Sequence, residues 1–202
     1  MRRKGQHFLV ESATIERIAG YAELTGADCV LEIGPGTGSL TAALAARAGH
    51  VYAVEVDPVL AESLRGRYPN VTVIRSDALT FLPEGYNKVV SNLPYQISSK
   101  ITYRLLTRPF DLAVLMYQRE FARRMLAPPG SREYGRLAMV VGLLCEAEVL
   151  ETVKRSAFRP VPEVASAVVR LRRRRAEVDL GRFMRLAEVL FTHRRKLSLI
   201  HI

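Results

Sequence analysis

Tryptophan is absent from the 202 residues, cysteine occurs twice and histidine four times, and each scarcity closes off a class of function. A structural metal centre needs about four ligands at close spacing. His7, His50, His193 and His201 instead stand singly, so no metal site is expected. Cys29 and Cys145 lie within the apolar stretches Cys29-Val30-Leu31 and Leu143-Leu144-Cys145 and read as small core residues rather than as a redox or ligand pair. Long apolar runs are also missing: none approaches the roughly 20 residues that cross a bilayer. The start, Met1-Arg2-Arg3-Lys4, leads into Gly5 and Gln6 with no apolar signal core behind it. The expectation is a cytoplasmic protein with no membrane partner. No internal repeat is visible, and the arginine run from Arg172 to Arg175 is the one segment of low complexity.

What is present fills one sizeable core and a small appendage, since 49% of the residues are hydrophobic. The formal charge of +10 is unevenly placed: residues 151–202 hold 13 Lys/Arg against 5 Asp/Glu, and everything before them 17 against 15. Such an asymmetry fits a polyanionic partner, because a cation beside a phosphate releases condensed counterions. A solvated basic face fits it equally well.

Short β-branched runs at Cys29 to Ile33, Val51 to Val56, Val71 to Ile74, Lys88 to Ser91 and Leu112 to Met116 alternate with helical stretches, the pattern of an α/β fold with a doubly wound parallel sheet. Leu40, Ala43, Leu44 and Ala48 recur at helical spacing, as do Leu60, Ala61 and Leu64 before Tyr68-Pro69-Asn70 breaks the chain. After the turn at Pro128-Pro129-Gly130, Leu137 to Leu144 reads as a buried helix. Val149 to Val153 and Ala165 to Leu171 read as a final antiparallel pair of strands. A last helix begins near Leu180, with Phe183, Leu186, Ala187 and Leu190 on one face.

Val30-Leu31-Glu32-Ile33-Gly34-Pro35-Gly36-Thr37-Gly38 carries a strand into a glycine-rich turn and then a helix, where missing side chains let backbone amides approach a nucleotide. Glu55, about 20 residues on, can accept both hydroxyl hydrogens of an adenosine ribose, which suits NAD and S-adenosylmethionine alike. Asp77 separates them, because a carboxylate there can accept from the adenine's exocyclic amine. The same aspartate could simply cap a helix starting at Ala78-Leu79-Thr80. Ser39 also stands where the hydride-transfer fingerprint has its third glycine, which favours methyl transfer.

Asn92-Leu93-Pro94-Tyr95 follows the fourth strand, at the carboxyl edge where open α/β sheets bind ligands. It matches the Asn/Asp-x-Pro-Tyr/Phe/Trp motif of enzymes that methylate exocyclic amines. The lone pair of an adenine N6 is delocalised into the ring, and two hydrogen-bond acceptors make the nitrogen more tetrahedral. The Asn92 side-chain oxygen and the Leu93 carbonyl can take the two N6 hydrogens while Tyr95 stacks on the base.

Together with Gly5-Gln6-His7-Phe8-Leu9, Asp77-Ala78-Leu79 and the stretch from Phe158-Arg159-Pro160 to Ser166-Ala167-Val168, these motifs resemble the small-subunit rRNA adenine dimethyltransferases over nearly the whole chain. The resemblance implies a Rossmann-like class I methyltransferase fold: a seven-stranded, mostly parallel sheet with an antiparallel last strand, occupying residues 1–175. Residues 176–202 would begin a helical RNA-docking domain. It implies S-adenosylmethionine as cofactor, held by His7, Leu9, Gly34, Gly36, Glu55, Asp77 and Asn92. Asn92, Leu93, Pro94 and Tyr95 would be the catalytic segment, with Phe158 stacking near the base from the rim of the pocket. A core position for Phe158 and an idle surface position for His7 are the alternatives.

The implied reaction is N6,N6-dimethylation of two adjacent adenosines in the 3′-terminal hairpin of small-subunit rRNA. A monomer would carry it out on an immature small ribosomal subunit. Large-subunit rRNA methylases usually carry isoleucine at the place of Leu93, and they or DNA adenine methyltransferases are the alternative enzymes. A ribosome-assembly factor with secondary methylation is the non-catalytic one. Two departures stand out. Ser76 replaces a common glycine, and Leu197-Ser198-Leu199-Ile200-His201-Ile202 does not continue the family's arginine-rich helix after Arg194-Arg195-Lys196. The chain is therefore expected to be a truncated or frameshifted version with its methyltransferase domain intact.

Overall fold

The computed structural model describes residues 7–175 and 178–192. Gly5-Gln6, the boundary at residues 176–177, Arg194-Arg195-Lys196 and the closing residues 197–202 lie outside them. In chain order the elements are β1 (Phe8–Leu9), α1 (Ser12–Tyr21), β2 (Cys29–Ile33), α2 (Ser39–Ala45), β3 (His50–Glu55), α3 (Pro58–Leu64), β4 (Val71–Arg75), β5 (Lys88–Asn92), α4 (Ser98–Leu106), β6 (Leu112–Gln118), α5 (Arg119–Met125), α6 (Arg136–Leu144), β7 (Cys145–Val153), β8 (Phe158–Arg159), β9 (Ser166–Arg173) and α7 (Leu180–Thr192).

Seven strands form one sheet in the order β4-β3-β2-β5-β6-β9-β7. The five from β2 to β6 are parallel, and β9 runs antiparallel to both of its neighbours, β6 and β7. This is the class I methyltransferase architecture. A strand alternates its side chains between faces, and here both faces are apolar. Leu31, Val89 and Leu115 enter one core with Ile101 and Leu105 of α4 and Val140 and Val141 of α6. Val30, Val90 and Val114 enter the other with Ile18 of α1 and Leu44 of α2. Helices cover both faces, which is why the central strands read as unbroken hydrophobic runs.

Chain direction then locates the site. From β2 the connections run outward to β3 and β4 on one side and to β5 and β6 on the other, so β2 and β5 flank a topological switch point, the usual ligand crevice of such sheets. The β2–β5 ladder covers Val30 with Lys88 and Leu31 with Val89, short of the carboxyl ends of both strands. Beyond it, the buried Ser91 hydroxyl donates to the Ile33 carbonyl at 2.5 Å.

The strand β7 starts at Cys145, directly after α6, four residues earlier than its β-branched portion suggests. Cys145 is buried and Cys29 half-buried. In α7 the expected apolar face is divided: Ala187 is fully buried and Phe183 packs against the core, while Leu186 and Leu190 are exposed. A second, two-stranded sheet joins β1 to β8, with Phe8 opposite Arg159 and Leu9 opposite Phe158. No helix among the described residues is long and apolar enough to cross a membrane.

Candidate active site

A cavity of about 490 Å³ opens at the switch point, within the size range of small-molecule and cofactor pockets. Three walls meet there. The first is the glycine turn after β2, where Gly34, Gly36 and Gly38 have φ of 67°, 59° and 86°, a region that strains any residue with a Cβ. A Cβ on Gly36 would lie 2.9 Å from the Phe8 ring, and one on Gly34 3.3 Å from Pro94. The turn is therefore closed in by β1 on one side and by the Asn92 segment on the other.

Glu55, at the end of β3, supplies the second wall. It is 3% exposed; Oε2 accepts from the Gly36 amide at 3.1 Å and Oε1 from the Asp57 amide at 2.9 Å. A carboxylate accepts about four hydrogen bonds, so the two amides fix its orientation and leave capacity for two ribose hydroxyls. Asp77 lines the same cavity. Its Oδ1 accepts from the Leu79 amide at 2.8 Å, so it does cap, but a turn over 78–80 rather than a helix. Capping by one oxygen and ligand binding by the other are compatible.

The third wall is Asn92 to Tyr95 with the N-terminal segment laid across it. The Asn92 Nδ2 donates to the His7 carbonyl at 3.4 Å, which orients the amide with Oδ1 free to accept from elsewhere. Leu93 is buried, with its amide donating to the Met116 carbonyl at 3.3 Å. Tyr95 opens a 3-10 turn. Its ring lies 5.9 Å from that of His7 at an interplanar angle of 31°, and its hydroxyl sits 2.8 Å from the Ser166 Oγ. Burial raises the Tyr95 phenol above its ordinary range, with the Ser166 contact opposing the rise. His7 in turn donates from Nδ1 to the Pro160 carbonyl at 2.8 Å.

His7, Leu9, Gly34, Gly36, Glu55, Asp77, Asn92, Leu93, Pro94 and Tyr95 thus line one cavity. Phe158 does not. The rim position expected for it is corrected by the structure: its side chain is 0% exposed and packs in the core with Leu9, Ile18 and Met116. The cause is β8, whose alternation turns Phe158 inward opposite Leu9 and leaves Arg159 outside.

Two residues of the site escaped the sequence reading. Ser166 is fully buried at the head of β9 and holds Tyr95. Glu32, 2% exposed in β2, lines the cavity with Oε2 lacking a hydrogen-bond partner among the described residues. Burial pushes its carboxyl up to about 8; the Thr41 hydroxyl pulls the other way while falling short of hydrogen-bond geometry, and the Glu55 carboxylate adds to the rise. A lone glutamate in the apolar run Cys29-Val30-Leu31-Glu32-Ile33 was the available signal.

Comparison with known proteins bears on this arrangement. The family model described as ribosomal RNA adenine dimethylase matches residues 1–198. A protein of Methanothermobacter thermautotrophicus named probable ribosomal RNA small subunit methyltransferase A is 51% identical over 199 residues, 96% of this chain and 72% of the relative. A protein of the same name from Methanopyrus kandleri is 47% identical over 203 residues, 96% of this chain and 73% of the relative. Among solved structures, a dimethyladenosine transferase from Plasmodium falciparum superposes with a TM-score of 0.86 at 32% identity, over 92% of this chain and 70% of that one. The 23S rRNA methyltransferase ErmE does so with a TM-score of 0.77 at 41% identity, over 92% and 79%.

Proposed function

The chain belongs to the ribosomal RNA adenine dimethylase family, and we propose that it uses S-adenosylmethionine to dimethylate N6 of two adjacent adenosines in the 3′-terminal hairpin of small-subunit rRNA. It is a methyltransferase of the class I fold acting on rRNA adenine. The immature small subunit is its substrate particle, and the protein works as a cytoplasmic monomer. Residues 1–175 form the methyltransferase domain, and α7 begins a helical unit that docks RNA.

The cavity suits the cofactor. The glycine turn admits no side chain where Phe8 and Pro94 approach it, Glu55 is pre-oriented by two amides, and Asp77 lines the same cavity. His7 and Leu9 cover it from the N-terminal side. S-adenosylmethionine supplies a methyl group already made electrophilic by its positively charged sulfur.

The single observation that carries the reading is the Asn92 amide, anchored through Nδ2 to the His7 carbonyl on the cavity wall beside Tyr95. So anchored, Oδ1 accepts one N6 hydrogen and the Leu93 carbonyl the other, which aims the nitrogen lone pair. Tyr95, held between His7 and Ser166, offers its ring to the unstacked base. Positioning carries the catalysis, and no strong general base is needed.

Large-subunit rRNA is the second reading, favoured by the close superposition on ErmE. Leu93, the full stretch from Phe158 to Val168 and the names of the relatives support the small subunit. The test is methyl transfer from labelled S-adenosylmethionine to unmethylated small subunits, with dimethyladenosine read by mass spectrometry. Asn92→Ala is expected to lower the rate by about a hundredfold or more. Equal product from the variant, or methylation of large-subunit rRNA alone, would overturn the reading.

A further inference from the structure

Beside β8, away from the cofactor cavity, Lys154, Arg155, Ser156 and Arg159 line an open cleft with Val161 and Ala165. We propose that this cleft is the docking site for an RNA phosphodiester next to the target adenosine, with Lys154, Arg155 and Arg159 as its cations. The inference rests on rRNA being the substrate.

Three features support it. First, the charges are unspent. Several other surface arginines are paired with carboxylates: Arg17 with Glu151, Arg47 with Glu16, Arg123 with Glu120 and Glu133, and Arg170 with Glu23 and Glu148. Lys154, Arg155 and Arg159 have no carboxylate within ion-pair reach among the described residues.

Second, the guanidinium groups are held. Arg155 donates from Nη1 to the Glu163 carbonyl at 2.9 Å, and Arg159 from Nη1 to the carbonyls of Phe158 at 2.9 Å and Ser156 at 3.2 Å. Neutral carbonyls orient these side chains without cancelling their charge, so less rotamer entropy is lost when an anion arrives.

Third, the cleft is linked to the active site through the backbone of β8 and β1. Arg159 pairs directly with Phe8, and the carbonyl of the next residue, Pro160, holds His7, whose ring lies 5.9 Å from that of Tyr95. A phosphate bound here lies one strand away from the cavity wall, as the backbone of a nucleotide turned into that cavity requires. Cations one strand away from a cavity wall that carries Tyr95 fit a nucleic-acid strand rather than a planar membrane.

The experiment measures the affinity of the full chain for unmethylated small subunits across a range of salt concentrations. The protein is compared with the triple variant Lys154→Ala/Arg155→Ala/Arg159→Ala and with Arg155→Lys/Arg159→Lys. The triple variant should bind RNA roughly 10- to 100-fold more weakly near 0.1 M salt, with the log–log salt slope smaller by about 2. Its affinity for S-adenosylmethionine should not change, and the lysine variant should keep most of the slope. Unchanged RNA affinity and slope in the triple variant, beside a parent that methylates small subunits, would overturn the inference and leave the proposed function standing. A parent that methylates no rRNA removes both. Loss of binding to anionic phospholipid vesicles, with RNA binding intact, would reassign the cleft to a membrane surface and overturn the proposal.

Discussion

Replacing Glu32 by glutamine should change how the stability of the cofactor-free protein depends on pH. Glu32 is enclosed in β2 with an unpartnered Oε2, and its carboxyl is pushed from its ordinary 4.5 up to about 8. Between those values the folded chain holds a proton that the unfolded chain has released, so stability must fall as pH rises. Each pH unit in that window costs about 1.4 kcal/mol, on the order of 4 to 5 kcal/mol across it. That is a large share of the roughly 5 to 15 kcal/mol that a domain usually has. Below the window both states are protonated and the full contribution is present. Above it the carboxylate is charged in both states and the dependence levels off. Glutamine has the same shape and no proton to exchange, so Glu32→Gln should lack this slope. Urea unfolding at about pH 5, 6, 7 and 8 measures it, and the variant should gain on the parent with every step upward. Parallel stability profiles for the two proteins would refute the reasoning, because the parent would then hold Glu32 ionised or in contact with water.

Phe158→Ala should lower stability by about 3 to 5 kcal/mol, the usual loss for a buried phenylalanine, whereas a rim residue would cost under about 0.5 kcal/mol in the same denaturant titration. Gly36→Ala places a Cβ against the Phe8 ring at a φ of 59°. Calorimetry should show S-adenosylmethionine affinity reduced at least about tenfold, with about 1 to 3 kcal/mol of stability lost. Ser166→Ala and Tyr95→Phe each remove the same 2.8 Å contact, worth about 1 kcal/mol. Each should lower kcat/KM about fivefold, and the double variant should be no worse than either single one; additive losses would separate the two residues.

The parallel core was legible because buried strands must be apolar on both faces, and runs such as Val51 to Val56 and Leu112 to Met116 say so directly. The position of Asn92 to Tyr95 on the cavity wall was legible because the motif is local to four residues directly after a strand at the carboxyl edge of the sheet. The pairing of β1 with β8 was not, since two-residue strands have no period to read and their partners stand 149 to 151 positions apart. Phe158 went astray for the same reason: beside Arg159 and Pro160 it looks like a bend residue, and only the ladder to Leu9 turns it inward. Ser166 lay inside a quoted motif, yet its duty is set by a tyrosine 71 residues earlier. The split face of α7 followed from packing, which took Ala187 and Phe183 and left Leu186 outside.

The place of β9 governs the order in which the molecule can be finished during synthesis. Among the described residues it is the last strand in the chain, yet it lies between β6 and β7 rather than at the margin of the sheet. A nascent chain that ends before Ser166 therefore presents two open edges, the kind of surface that invites pairing with other chains. In such a chain the Tyr95 hydroxyl lacks its Ser166 partner. The wall of the cavity that carries Tyr95 is therefore completed only when β9 slots home, after the glycine turn and Glu55 have already been made.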